Sequence, residues 1–290
     1  MRAEWGRRMV RMGNVWDRTG EVLNGRGGML AGIAILTLFV PGAINAAYKI
    51  FTPASSASVA VGMLLTLAAT VAALWGQLAI IAAASDPATT RAAANRQASA
   101  RLVPAVLVAL VLGVAFSIAF MPAILLLVVA GFDFAIAFGG GTPAPPIAPG
   151  AGLLAALYMI VVLIAALFLF SRLLPLYAVV LYERLSIGAI ARTWRLTRKH
   201  TWRLVGVILL FLIVLMIATW AAQSVIGLVA RLVLGGNATA TVTYIAALAG
   251  QAVSTGLTLV AVVFSAQAYV ALTERERLLR ERREQTVAAT

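Results

Sequence analysis

The sequence predicts an all-α polytopic membrane bundle of six transmembrane helices, built from three repeats of an amphipathic helix followed by a transmembrane hairpin. The 290-residue chain is 62% hydrophobic and only 11% charged, and a water-facing protein of this length cannot bury so much apolar surface. Six apolar stretches are each long enough to cross a hydrocarbon core, which takes about 20 helical residues. Basic residues also gather in alternate connections between these stretches, as they do in multi-pass membrane proteins.

The apolar stretches divide a single membrane domain, residues 1–290, into three parts. Residues 1–28 are predicted to form a cytoplasmic amphipathic N-terminus, residues 29–272 the six-helix bundle, and residues 273–290 a charged cytoplasmic tail. We interpret the first apolar stretch as a retained helix, because the arginine-rich segment before it is too long for the n-region of a signal peptide. The six stretches are Met29–Ile50, Val59–Ala84, Leu102–Phe132, Leu153–Leu174 with an extension towards Tyr182, Leu204–Leu234, and Tyr244–Leu272.

The distribution of charge predicts the topology. Arginines occur in every connection on one side of the predicted bundle, whereas the connections on the other side hold only Lys49 and Arg231 as basic residues. Because positive residues stay on the cytoplasmic side, both termini and the loops around Ala94 and Ala191 are expected in the cytoplasm. The same arginines suit anionic lipid headgroups, so the net charge of +13 does not require a nucleic-acid partner.

A polar residue stands near the predicted cytoplasmic end of each even-numbered membrane helix. These residues are Gln77, Arg172 and Gln267, and successive members are 95 positions apart. Since a lone arginine in hydrocarbon is costly and glutamine carbonyls are suitable acceptors, we predict a pseudo-threefold arrangement with an intramembrane polar cluster. Two alternatives stay open: Arg172 snorkels to the headgroups, or the apparent repeat reflects only the general similarity of apolar helices.

A short amphipathic segment precedes each odd-numbered membrane helix. The first is expected to break at Asn24-Gly25. The second is expected to begin with Asp86 as N-cap and Pro87 in the first helical position. Each segment is thus predicted to be the amphipathic helix with which one of the three repeats begins.

The third amphipathic segment, Ser186–His200, carries the strongest pattern. Its apolar residues Ile187, Ile190 and Trp194 are predicted to oppose its basic ones, as in a helix that lies in the headgroup layer and binds anionic lipid. Glu183 is a possible ion-pair partner for an arginine of this segment, whereas a pair with Arg172 would have to bridge about 16 Å along the helix axis. The predicted lipid-interface residues are Arg192, Trp194, Arg195, Arg198, Lys199, Trp202 and Arg203.

The segments Ser171–Glu183 and Ala189–Gly206 resemble the membrane domain associated with glycerophosphoryl diester phosphodiesterases. The resemblance implies a six-helix protein of a bacterial inner membrane, with a role in the envelope or in lipid homeostasis. Thr193 departs from the serine that is common in the family before the first tryptophan. Some relatives carry a soluble phosphodiesterase barrel after the membrane domain; this chain ends soon after its last helix, so we do not expect the hydrolase activity. The residues that fit the pattern are Arg172, Glu183, Arg192, Trp194, Leu196, Thr197, Trp202 and Arg203.

The chemistry of the side chains offers little for catalysis. The chain has no cysteine and one histidine, His200, and its acidic residues do not form the carboxylate cluster that a divalent cation requires. No cofactor and no enzymatic activity are therefore expected. Membrane lipids, anionic ones above all, are the expected partners, and the pattern does not identify a protein partner or an oligomeric state.

Two functions stay open at this stage. The first is a non-enzymatic integral inner-membrane protein that acts as a scaffold or lipid-interacting protein; the alternative is a transporter or channel for a lipid-derived or small amphipathic solute. Polar residues in the apolar stretches commonly hold helices together, but a cavity lined by them would favour transport, and a closed bundle would favour the scaffold. These residues are Asn45, Gln223, Ser224, Gln251, Ser254, Thr255 and Ser265.

Overall fold

The computed structural model describes residues 12–53, 55–129, 131–132, 149–198, 201–235 and 237–288, and these residues are almost entirely helical. Six helices in this part of the chain are long and apolar enough to cross a membrane. The all-α, six-helix prediction is therefore confirmed, and the chain is an integral multi-pass membrane protein. The six spans are Gly13–Phe51, Ser56–Ser85, Arg91–Val129, Gly152–Tyr182, Thr201–Leu234 and Thr239–Val287.

The first span is one continuous rod with a widened turn in its middle. Helix α1, Met12–Ala34, passes through a π-helical turn, Ile35–Phe39, into α2, Val40–Phe51. The turn lies just before Pro41, which has no N–H and whose ring would crowd the preceding turn of a regular α-helix, so a local π-turn relieves the conflict. The remaining helices are α3 Ser56–Ser85, α4 Arg91–Val129, α5 Pro149–Leu173, α6 Leu176–Tyr182, α7 Gly188–Thr197, α8 Thr201–Leu234 and α9 Thr239–Ala288.

The predicted break at Asn24-Gly25 is wrong, because α1 continues through it. The reason is a tertiary contact. The guanidinium of Arg26 donates to the carbonyls of Ala83, at 2.6 Å, and Thr89, at 2.7 Å. These bonds satisfy carbonyls at and beyond the end of α3 and hold this part of α1 helical, against a glycine cost of about 1 kcal/mol.

The predicted N-cap at Asp86 is also wrong. Asp86 ends α3 instead, and its carboxylate accepts the N–H of Ala88 at 2.9 Å in a local turn. Helix α4 begins at Arg91, where the hydroxyl of Thr90 accepts the N–H of Ala93. The second amphipathic segment is thus continuous with the third membrane helix, and only the third unit has a separate interfacial helix, α7.

Each span contacts the next in chain order, and the last helix, α9, also packs on α1, α2 and α3, so that the six spans close into a ring. The hydrophobic core lies at one end of the ring, which we call the basic end because it holds α7 and the charged end of α9. Short helix α6 contacts α3, α4, α7 and α9 there. The core consists chiefly of Leu78–Ala84, Leu176–Leu181 and Val262–Ala266, with Leu30 and Ile33 from α1.

The rest of the ring is more open. Large apolar side chains are exposed along the first five spans, for example Leu64, Leu110, Ile164 and Leu232, as expected where lipid is the solvent. One close approach needs a glycine: a Cβ on Gly76 would overlap the side chain of Thr37 in the π-turn. The bundle is therefore tightly packed at the basic end and looser towards the other.

The basic end contains a helix break whose carbonyls are satisfied by other helices. Pro175 separates α5 from α6. The hydroxyl of Thr197 donates to the carbonyl of Arg172 at 3.0 Å, and that of Ser265 donates to the carbonyl of Leu174 at 2.7 Å. Since a free carbonyl in a dry interior is costly, these bonds explain how the fourth span can bend here.

Candidate functional site

An ionic cluster joins three helices at the basic end. Nε of Arg192, on α7, donates to the carboxylate of Glu183 at 2.7 and 3.0 Å. Its Nη1 and Nη2 donate to the carboxylate of Glu276, on α9, at 3.1 and 2.7 Å. Glu276 also accepts from Arg280, one turn later, at 2.8 Å. The fork of Arg192 is thereby shared between two carboxylates, which fixes α7 against α9 and against the end of α6.

The local backbone explains how Glu183 reaches Arg192. Glu183 is the C-cap of α6, and the next residue, Arg184, has a φ of +57°, in the left-handed region that few non-glycine residues adopt. This turn reverses the chain so that α7 packs back on α6. The hydrogen bond that Arg192 donates to Glu276 raises the pKa of Arg192 above its ordinary value, and Glu183 adds to the effect, although burial opposes it. The ion pair predicted between Glu183 and an arginine of the third segment is confirmed.

Arg192 is consequently not part of the lipid-facing surface, in contrast to its predicted role. Its side chain is 20% exposed and its donors face carboxylates. Helix α7 packs on the bundle through a face that the sequence pattern did not single out, formed by Ala189, Thr193 and Thr197. Small residues permit close helix approach in a membrane, and this requirement places the larger Ile187 and Trp194 partly outside.

Arg172 lies between aromatic rings. Its guanidinium carbon is 4.2 Å from the centroid of the Trp194 ring and 5.2 Å from that of Phe168. Its Nε is buried and has no hydrogen-bond partner in the described residues. Phe168 in turn contacts Trp202 edge to face, at 6.3 Å between centroids. We call these four residues the aromatic clamp; cation–π attraction takes the place of an acceptor for the arginine.

The predicted polar cluster of Gln77, Arg172 and Gln267 is not formed by hydrogen bonds among the described residues. Gln267 is buried and donates instead to the carbonyl of Ala84, at 2.7 Å, at the end of α3. Gln77 is partly buried and makes no hydrogen bond in the described part of the chain. The prediction was based on the need of Arg172 for amide carbonyls as hydrogen-bond acceptors. The aromatic rings around its guanidinium remove that need.

A basic surface surrounds the clamp where α7 meets α8. Arg195, Arg198 and Arg203 are exposed, and Trp202 is 81% exposed. Lys199 belongs to the same predicted set but lies outside the described residues. We call Arg195, Arg198, Trp202 and Arg203 the basic rim.

A second feature is a polar cleft between α2, α3 and α9. Two adjoining cavities, an outer one of about 610 Å³ and an inner one of about 300 Å³, have Thr66 and Thr70 in common. The inner cavity is lined by four of the polar residues predicted from the sequence, together with three threonines that the sequence patterns did not single out. The polar lining of the inner cavity is Asn45, Thr66, Thr70, Gln251, Ser254, Thr255 and Thr258.

The remaining polar predictions lie elsewhere. Ser265 bonds the carbonyl of Leu174 at the basic end, and Gln223 packs against Gly250 between α8 and α9. Sequence patterns missed Arg26 and Glu276, whose partners are far away in the chain. They also missed Thr66 and Thr70, although two threonines four residues apart on an apolar helix would share one face. No group of three or more histidine, cysteine, aspartate or glutamate residues in the described ranges is placed to hold a metal ion.

Comparison with known proteins places the chain in a family. No curated protein and no solved structure matches it. The family described as domain of unknown function (DUF7847) matches residues 18–272. This range includes four spans in full, most of the first and the last span, the ionic cluster except for Glu276 and Arg280, and the whole polar cleft. The chain therefore belongs to the DUF7847 family.

Proposed function

We propose that this integral membrane protein is a non-enzymatic, lipid-interacting scaffold of a bacterial inner membrane, with its basic end in the cytoplasm. The observation that carries the proposal is the basic rim. Three exposed arginines lie beside an exposed tryptophan where a membrane helix emerges, an arrangement typical of contact with anionic headgroups. The ionic cluster and the aromatic clamp anchor α7 from behind, so the rim is presented on a fixed support.

Two other considerations support the proposal. The resemblance to the membrane domain of glycerophosphoryl diester phosphodiesterases suggests a role in envelope or lipid homeostasis. The described residues of the arginine-rich connections belong to the basic end, which the positive-inside rule would place in the cytoplasm. A lipid-binding surface at that end would meet the anionic inner leaflet.

The test is the affinity of the purified protein for phosphatidylglycerol, measured by native mass spectrometry. A double variant, Arg195→Gln with Arg198→Gln, removes two charges from the rim. At about 1 kcal/mol for each basic residue near an anionic surface, the apparent Kd should rise by up to about 30-fold. The matched control, Lys49→Gln with Arg231→Gln, removes two charges from the other end and should leave the high-affinity sites intact. Equal effects of both variants would contradict a specific role of the rim.

A transporter or channel for a lipid-derived or small amphipathic solute is the second candidate. The observation in its favour is the polar cleft, which lies within the membrane-spanning part of α3 and α9. Reconstitution into liposomes tests it: transbilayer movement of a fluorescent lipid that depends on the protein, and is lost when Ala69→Phe fills the cleft, would favour transport over the scaffold.

A further inference from the structure

The polar cleft reaches from one face of the membrane towards its middle. The outer cavity begins at Tyr48, Lys49 and Ser58, near the turn between α2 and α3. Thr70, which both cavities share, is fourteen residues into α3 from its start at Ser56, or about 20 Å at 1.5 Å per residue. A hydrogen-bonding surface therefore extends to a depth at which a membrane protein usually presents apolar groups.

Hydrogen bonds within and between the helices do not account for all of the polar groups in the cleft. Thr66 and Thr70 donate to the carbonyls four residues before them, the usual arrangement for threonine in a helix. Thr255 differs, because it lines the inner cavity while its own hydroxyl is buried and has no partner in the described residues. A buried hydroxyl without a partner is destabilising, and a change of side-chain rotamer would let a ligand in the cavity supply the missing bond.

The side-chain amides of Gln251 and Asn45 line the same inner cavity. Gln251 donates to the carbonyl of Leu38 at 3.2 Å, in the π-turn of the first span. The side chain can lie there only because residue 42 is glycine, since a Cβ on Gly42 would meet the Gln251 amide. Asn45 donates to the hydroxyl of Thr66 at 3.0 Å. Hydroxyl and amide groups from three helices thus line one small volume.

The chemistry of the lining selects an uncharged ligand. Among the described residues, the inner cavity has no ionisable side chain in its lining, and the outer cavity has one charged residue, Lys49, near the face of the membrane. A phosphate in the inner cavity would have to leave both water and Lys49 for a place without a cation, which is unfavourable, whereas hydroxyl, ester and amide groups match the lining. Exposed Met63 and Leu67 line the outer cavity beside these groups and suit an acyl chain.

We propose that the cleft between α2, α3 and α9 binds one neutral glycerolipid, whose hydroxyl and ester groups bond the inner cavity while a chain lies along Met63 and Leu67. This site is separate from the basic rim, and the proposal does not depend on anionic lipid binding at the other end.

The experiment uses the full chain in nanodiscs with two photoactivatable lipids that share their chains, a diacylglycerol and a phosphatidic acid. The diacylglycerol should label peptides of α3 and α9 more strongly than the phosphatidic acid. Thr255→Val should lower that labelling about fivefold, the effect of one hydrogen bond, and Ala69→Phe should abolish it by filling the cavity. Thr219→Val is the matched control, because the Thr219 hydroxyl is also buried without a partner but does not line these cavities.

Equal labelling by the two lipids, or labelling confined to other helices, would overturn the proposal. So would a Thr255→Val variant that is labelled like the parent. Thermal melting of each variant shows whether it is folded. If Thr255→Val fails to fold, the Ala69→Phe variant decides, since residue 69 faces the open cavity. Undiminished labelling of that variant would refute a binding site in the cleft.

Discussion

Removing Arg192 should uncouple α7 from the end of α9. The fork of Arg192 makes four contacts of 3.1 Å or less with the carboxylates of Glu183 and Glu276. In an Arg192→Ala variant both carboxylates would lose this partner, and Glu276 would keep only Arg280, which is 68% exposed. We therefore expect a large loss of stability from this one substitution and a strong coupling between Arg192 and Glu276.

The magnitude follows from the burial of the pair. Breaking a fully buried ion pair costs about 3–5 kcal/mol, and an exposed pair is worth about 0–1 kcal/mol. The Arg192 and Glu276 side chains are 20% and 30% exposed, so their coupling should lie between these limits, at about 2 kcal/mol. A control pair one turn further along α9, Arg277 with Glu281, has an 83% exposed arginine and should couple by only about 0.4 kcal/mol.

A double-mutant cycle measures both couplings. The single variants Arg192→Ala and Glu276→Ala, their combination, and the same set for Arg277 and Glu281 are unfolded in mixed micelles at increasing SDS and followed by tryptophan fluorescence. The coupling free energy of the first pair should exceed that of the second about fivefold. If the two couplings are equal, Arg192 is an ordinary surface residue, and its assignment as a structural anchor that does not bind lipid is wrong.

Two further predictions concern the aromatic clamp and the topology. Arg172→Met keeps an unbranched apolar stem but removes the charge over Trp194, and should lower the free energy of unfolding by about 1 kcal/mol; a variant as stable as the parent would mean that Arg172 merely reaches for the headgroups. Because the chain has no cysteine, single cysteines at exposed Ala92, Ala191 and Asn237 can be tested directly with an impermeant thiol reagent in intact cells. Only the cysteine at position 237 should react from outside, and labelling at position 92 would overturn the orientation.

The sequence predicted the membrane helices closely because transfer into lipid depends on local composition. The predicted span Val59–Ala84 became α3, Ser56–Ser85, and the predicted Leu204–Leu234 became α8, Thr201–Leu234. Contacts between segments that are far apart in the chain cannot be predicted from local composition. Arg26 bonds a carbonyl 57 positions away, and this contact decides whether Asn24-Gly25 is a break or part of a helix.

The candidate site was predicted in part. The pair of Glu183 with an arginine followed from their proximity in the chain, but Glu276 lies 84 positions from Arg192, and its charge alone could not indicate which arginine it would meet. The face through which α7 packs was not predicted, for a different reason. Periodicity identifies an apolar face, but in a membrane large apolar residues suit lipid while small ones suit packing, and α7 packs through Ala189 and Thr193.

Thr255 is a sharp test, because its hydroxyl is among the few buried polar atoms of the described residues that have no hydrogen-bond partner. At the basic end, hydroxyls close the helix break at Pro175 and carboxylates hold Arg192. In the cleft, the Thr255 hydroxyl is buried without a partner, a local cost of about 1–3 kcal/mol.

Valine has nearly the same shape and no hydroxyl, so Thr255→Val should raise the stability of the lipid-free protein by about 1 kcal/mol. The same variant should lower the binding of the neutral glycerolipid. A threonine that only holds helices together would instead lose stability on this substitution, and melting of delipidated protein in detergent, with Thr219→Val in parallel, separates the two cases by sign.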